Sequence, residues 1–216
     1  MELYMRLWNF GVFAVSAIVC ATPALAKPDV ETMKFAVTRD DMPIGTNTID
    51  IEHKGPETKV QIVTHVTVGF AFLTLYKFDQ TETEQWTNGH LVAMNAVTDD
   101  NGKVHRTNAN NQDGKLVVDG DGQVQTVAPT IVPASLWNAA MLRQSVVLNP
   151  EDGKVMPVSV VDRGDDCLTV AGRAAHAHHY VIRTSFTQDV WYDAAQRLVK
   201  LELKGQDGST IRYQLI

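Results

Sequence analysis

The sequence predicts a mainly β protein: a single curved antiparallel sheet, or half-barrel, with one short helix on its concave side. Three observations predict it. Asn-Gly and Asp-Gly pairs recur at Asn88-Gly89, Asn101-Gly102, Asp113-Gly114, Asp119-Gly120, Asp121-Gly122, Asp152-Gly153 and Asp207-Gly208. Such pairs suit the two positive-φ positions of a tight hairpin turn. The segments between them are strand-length and alternate apolar with polar residues. Only Ala134–Arg143 reads as a helix.

Taken in order, residues 1–26 read as a leader. Met1–Arg6 carries one basic residue, Leu7–Cys20 is a nearly continuous apolar run of 14, and Ala24-Leu-Ala26 supplies a small-x-small cleavage pattern. Fourteen is short of the ~20 residues that span a bilayer. The expectation is therefore a secretory signal peptide cleaved after Ala26, a protein of the periplasm or the exterior, and no transmembrane anchor after cleavage. Residues 27–216 form a single β-rich domain.

Loss of Glu2 and Arg6 together leaves the net charge at −6. That acidic balance argues against a nucleic-acid partner, whose footprint is usually basic. Loss of Cys20 leaves Cys167 alone. With no intramolecular disulfide available, the domain must be stabilised by burial. Cys167 is expected as a half-buried strand residue, and Asp165-Asp166 before it as a solvated turn.

Within the domain, Asp40-Asp-Met-Pro43 and Lys54-Gly-Pro-Glu57 add two more turns. From Val60 to Phe78 every even position is apolar, aromatic or threonine, while the odd positions start polar (Lys59, Gln61, His65, Thr67), turn apolar at Ala71, Leu73 and Leu75, and return to Lys77 and Asp79. The segment reads as one long strand, bent at Gly69 and buried on both faces near Ala71–Leu75. Asn108–Gln112 reads as an exposed loop. In the helix candidate, Pro133 sits near the start and Arg143 near the end. About ten residues of helix cannot persist alone and must dock on the sheet. At the C-terminus, Val199, Leu201 and Leu203 share one face and Ile211, Tyr213 and Leu215 another, a hairpin pattern.

The aromatic residues give the leading site. Phe70, Phe72 and Tyr76 line one face of the long strand, Trp86 lies near a turn and Trp137 on the helix. Such a set is core, or it lines an apolar cavity between sheet and helix. In the second case the ligand is a lipid or another apolar or amphipathic small molecule. If the helix fills the half-barrel, no cavity remains.

The alternative site is metallic. On a strand, His176 and His178 share a face roughly 6–7 Å apart. A third ligand would come from His65, His90, His105 or Cys167. There is no H-E-x-x-H and no C-x-x-C. Asp119-Gly-Asp-Gly122 lacks the glutamate of a calcium loop and reads as a tight turn. There is no G-x-S-x-G, Ser135 reads as a first-turn residue of the helix, and no glycine-rich phosphate loop occurs. No catalytic residue and no cofactor can be assigned. An enzyme acting on envelope glycans or lipids remains a further alternative.

Several segments carry a resemblance: Phe35-Ala-Val-Thr-Arg-Asp-Asp-Met-Pro-Ile-Gly45, Trp86-Thr-Asn-Gly-His-Leu91, Val97-Thr-Asp-Asp-Asn-Gly-Lys103, Pro133-Ala-Ser-Leu-Trp-Asn138, and Trp191-Tyr-Asp193 followed by Asp207-Gly-Ser209. On these the chain resembles a family of secreted proteins of Gram-negative bacteria known as a domain of unknown function. The last segment also resembles periplasmic proteins with a curved antiparallel sheet around a short helix. The resemblance implies the fold and an envelope location, and implies no catalytic residues. The expected role is a binding or envelope-accessory module rather than an enzyme.

Overall fold

The computed structural model describes residues 29–70 and 73–216. The expected leader and Phe72 lie outside the described residues, as does the side chain of Phe70. The chain first runs as a meander: β1 (Asp29–Arg39), β2 (Met42–Lys54), β3 (Glu57–Phe70), β4 (Leu73–Thr87), β5 (His90–Asp100), β6 (Lys103–Gln112), β7 (Lys115–Gly120) and β8 (Gln123–Val127). Residues 128–158 then leave the sheet and form a strap, which holds a five-residue 3-10 turn (Ala139–Arg143) and a small hairpin of β9 (Val146–Leu148) and β10 (Val155–Pro157). The meander resumes with β11 (Ser159–Val170), β12 (Arg173–Arg183), β13 (Thr187–Tyr192), β14 (Leu198–Lys204) and β15 (Thr210–Leu215).

The last strand closes back on the first. β15 pairs with β1, so one antiparallel sheet of 13 strands runs in the order β11-β12-β13-β14-β15-β1-β2-β3-β4-β5-β6-β7-β8. The turns Asp40-Asp41, Asn88-Gly89, Asn101-Gly102, Asp113-Gly114 and Asp121-Gly122 all have positive φ at both residues. That geometry matches the twist of two paired strands, which is why these pairs mark hairpins. Asp119-Gly120 instead ends β7. A Cβ at Gly120 would overlap the Asp152 carbonyl, so glycine there lets the strap touch the sheet.

One core fills the concave side. Phe35, Ile49, Ile62, Leu91, Leu116 and Ile182 from the sheet pack with Ile131, Val132, Leu136, Met141, Val147 and Leu148 from the strap. A smaller cluster of Ala177, Trp191 and Val199 forms apart from it. Val199, expected beside Leu201 and Leu203, lies in this second cluster. A bulge between Trp191 and Tyr192 sets Leu198 opposite Tyr192 and shifts the alternation.

Five expectations are corrected. Val60–Phe78 is two strands: β3 ends at Phe70 and β4 starts at Leu73, paired antiparallel. Partners such as Val60 and Glu84, or Val66 and Phe78, are both even-numbered. The alternation therefore passes through the reversal in phase and hides it. Leu73 and Leu75, expected buried, are 60% and 59% exposed. Asn108–Gln112 is not a loop but the end of β6, laddered to β7. The helix shrinks to the 3-10 turn, because Leu136 takes φ 65° and Trp137 N–H donates to the Ser135 carbonyl at 2.9 Å. That three-residue turn stops a helix from starting before Asn138. Asn138, not Ser135, is the cap; its side-chain oxygen accepts from Ala140 N–H at 2.9 Å.

Candidate functional site

The concave face of β4 carries Glu82, Glu84 and Trp86, two residues apart and so on one side of the strand. Glu84 lies between Val60 of β3 and Met94 of β5, and Glu82 between Ile62 and Ala96. All four neighbours are buried. Two glutamates thus stand in an apolar strip, each only 1% exposed. Such residues are almost never fully buried without partners.

Three side chains from outside the glutamate pair donate to Glu84. Trp86 Nε1 donates to its Oε2 at 2.7 Å, Trp137 Nε1 to the same oxygen at 2.8 Å, and Ser135 Oγ to Oε1 at 2.7 Å. The two indoles meet edge to face with centroids 5.7 Å apart. Two of these donors belong to the strap. The tight turn at Leu136 aims both of them at Glu84, and the Leu136 carbonyl accepts from the buried Tyr192 hydroxyl at 2.8 Å.

Glu82 sits beside this centre and hydrogen-bonds with Glu84. Burial first, and the negative charge of Glu84 second, push its carboxyl well above the ordinary range. Its Oε1 is buried without a partner. The arrangement is a neutral acid next to a carboxylate that gathers two indoles and one hydroxyl. It can hold a proton and accept hydrogen bonds in a water-poor setting.

Trp86 and Trp137 therefore come together as the sequence suggests, but Tyr76 does not join them. It lies near the opposite end of β4, 37% exposed, where burial and then the neighbouring Asp100 raise the pKa of its hydroxyl. Nearby, a polar depression of about 260 Å³ is lined by Asp100, His105, Asp121 and Glu151 among others. His105 Nδ1 meets Asp121 at 2.5 Å there. A second depression, of about 390 Å³, crosses β2, β3 and β4 and is lined by Asp50, Glu52, Lys59 and Gln61 among others. Neither depression lies between the Pro133–Arg143 segment and the sheet. The segment itself fills that space.

His176 and His178 do share a face. The register sets Cys167 opposite His176 and Asp165 opposite His178. Cys167 is exposed rather than half-buried, and its Sγ lies 3.4 Å from His176 Nδ1. Both ring nitrogens of His178 are engaged, at 2.7 Å each, by Asp162 and Asp165. Hydrogen bonds to Asp162 and then Asp165 raise its pKa. Asp165 and Asp166 belong to β11, not to a turn, and Asp166 accepts from the Trp191 indole at 2.8 Å. His65 is paired with Asp79 and His105 with Asp121, so neither completes the pair. Among the described residues, no group of three or more His, Cys, Asp or Glu is arranged to hold a metal ion.

Glu82 and Glu84 are the residues that sequence reasoning missed. Thr81-Glu-Thr-Glu-Gln85 looks like a solvated polar strand. A signal was present nonetheless: the even positions that are apolar from Val60 onward continue in phase through Glu82 and Glu84 to Trp86.

Comparison with known proteins supports the architecture. A family model described as a domain of unknown function, DUF6134, matches residues 35–216. No curated protein matches the chain. Among solved structures, the chain is similar to the crystal structure of a beta-barrel-like protein of domain of unknown function DUF1849 from Brucella abortus. The TM-score is 0.59 at 13% identity, over 88% of this chain and 95% of that one. At that identity the likeness speaks for the fold alone.

Proposed function

We propose, for a chain that belongs to the DUF6134 family, a role as a binding module of the cell envelope that takes an amphipathic small molecule at the mouth of the half-barrel. The leader-like residues 1–26 favour the envelope or the exterior as its place of work. One observation carries the binding reading. The strap covers the concave face without any backbone ladder to the 13-stranded sheet among the described residues. Its hydrogen bonds to the sheet use side chains: Ser135 and Trp137 to Glu84, Tyr192 to the Leu136 carbonyl, Thr107 to the Glu151 carbonyl, and Gln125 to the Gly153 carbonyl.

The strap is not uniform. Ile131, Val132, Val147 and Leu148 are sealed in the core, whereas Ala134, Ser135, Trp137, Ala139 and Ala140 are only half-buried. Within the corner at 134–140 only Leu136 is sealed in the core, so its displacement withdraws a single core side chain. A ligand entering there lays its apolar portion against Trp86 and the space of Leu136, and its polar portion against Glu84. Pockets of this kind are apolar with a few converging polar groups.

The experiment is thermal unfolding and tryptophan emission of purified, delipidated protein across a panel of amphiphiles. At ligand about 100-fold above Kd, stabilisation is about 2.7 kcal/mol, a Tm rise of roughly 5–10 °C at this size. Absence of any shift across the panel overturns the reading.

A further inference from the structure

Resting on that reading, we infer that the amphiphile accepted at the mouth has a head group that donates hydrogen bonds and bears no negative charge. A carboxylate can only accept. When the corner moves, Ser135 Oγ and Trp137 Nε1 leave Glu84 with it, while Trp86 stays on β4. Glu82 Oε1, next to it, already lacks a partner. The opened mouth thus presents unsatisfied acceptor positions on two side chains that are each 1% exposed. Buried polar groups without partners are costly, so the occupant must bring hydroxyl or ammonium donors.

An anionic head fails the same test. It brings a second negative charge to Glu84, and none of the groups hydrogen-bonded to Glu84 is Lys or Arg. Like charges placed together disfavour the complex. The closed state shows what fits: Ser135-Leu136-Trp137 places a hydroxyl donor, an apolar group and an N–H donor in the mouth, a copy in the chain of a donor-headed amphiphile. Polyol and amine heads share this chemistry.

The test is calorimetric titration of the purified protein with four ten-carbon probes below their micelle concentrations: decyl maltoside, decylamine, decanoate and decyl phosphate. Salt at about 0.15 M screens the long-range attraction of the net-acidic protein for the amine. Decyl maltoside and decylamine are expected to bind at least about tenfold tighter than the two anions. Glu84→Gln, which removes the charge and supplies a donor, is expected to bring decanoate to within about threefold of decyl maltoside. If Glu84→Gln does not fold by circular dichroism, the wild-type ranking decides alone. Anions binding as tightly as the neutral probe, or an unchanged ranking in folded Glu84→Gln, overturns the head-group inference and leaves the binding module standing. Failure of all four probes to bind overturns both.

Discussion

Replacing Glu82 by Gln should reverse part of the protein's pH dependence of stability. In the folded protein Glu82 is enclosed, and its carboxyl is held protonated well above the ordinary range. In the unfolded chain the same group ionises near a pH of about 4.3. Between those two values the folded state holds one more proton than the unfolded state. Stability therefore falls as pH rises, by about 1.4 kcal/mol per pH unit, until Glu82 ionises in the folded state. Below the unfolded value both states are protonated and the slope vanishes. Gln keeps the shape and an N–H donor for Glu84 but has no proton to lose. The groups that titrate elsewhere, such as His178 and Asp207, are present in both proteins and cancel in the difference. Urea unfolding of wild type and Glu82→Gln, in half-unit steps from pH 5 upward, reads that difference directly. The variant should gain on the wild type by about 1.4 kcal/mol for each pH unit, with unchanged m-values. A difference that stays flat with pH would refute the assignment of a neutral acid to Glu82.

Other outcomes can be stated briefly. Ser135→Ala removes a donor from a buried carboxylate and should cost about 1–3 kcal/mol, read as a lower Tm; an unchanged Tm would mean Ser135 does not hold the corner. Gly120→Ala forces a Cβ against the Asp152 carbonyl and should cost about 1–3 kcal/mol, with faster hydrogen exchange in β7 and residues 150–153. The His178 imidazole should titrate above its ordinary value by NMR, and Asp162→Asn should bring it down. The stabilisation from His178 is complete below the unfolded histidine value and is lost as pH rises through the raised folded value. N-terminal sequencing of the exported protein should begin at Lys27; retention of residues 1–26 would remove the case for the envelope.

Much of the fold was legible because its signals are local. A pair such as Asn101-Gly102 specifies positive φ at two adjacent positions, and the backbone obeys at φ 52° and 90°. What failed was anything that needed phase or partners from afar. The β3–β4 reversal escaped because, from Val68–Tyr76 outward, paired residues keep the same parity, so period-2 patterning runs in phase along both strands. The helix expectation failed because Ala134–Arg143 has helix-forming composition, while the local structure is decided by Glu84, some 51 residues earlier, drawing in Ser135. A distant acceptor outcompeted a weak local propensity. The aromatic set was half legible. Trp86 and Trp137 converge, but Tyr76 is carried to the other end by the same hairpin that the alternation concealed.

The glutamate pair separates what the fold requires from what it merely tolerates. Position 82 is flanked by Ile62 and Ala96 and would suit an aliphatic side chain, which leaves no oxygen unpaired. Glu84 differs: its three donors are in place, so it fastens the strap at the cost of burying a charge. A purely structural latch would need Glu84 alone. Glu82 adds a proton shared with Glu84 and an oxygen, Oε1, that has no partner while the corner stays closed. Under the proposed function, that oxygen gains a partner when a ligand replaces Ser135 and Trp137 at the mouth. On that reading, the strap is the resident occupant of the binding site as well as a layer of the core.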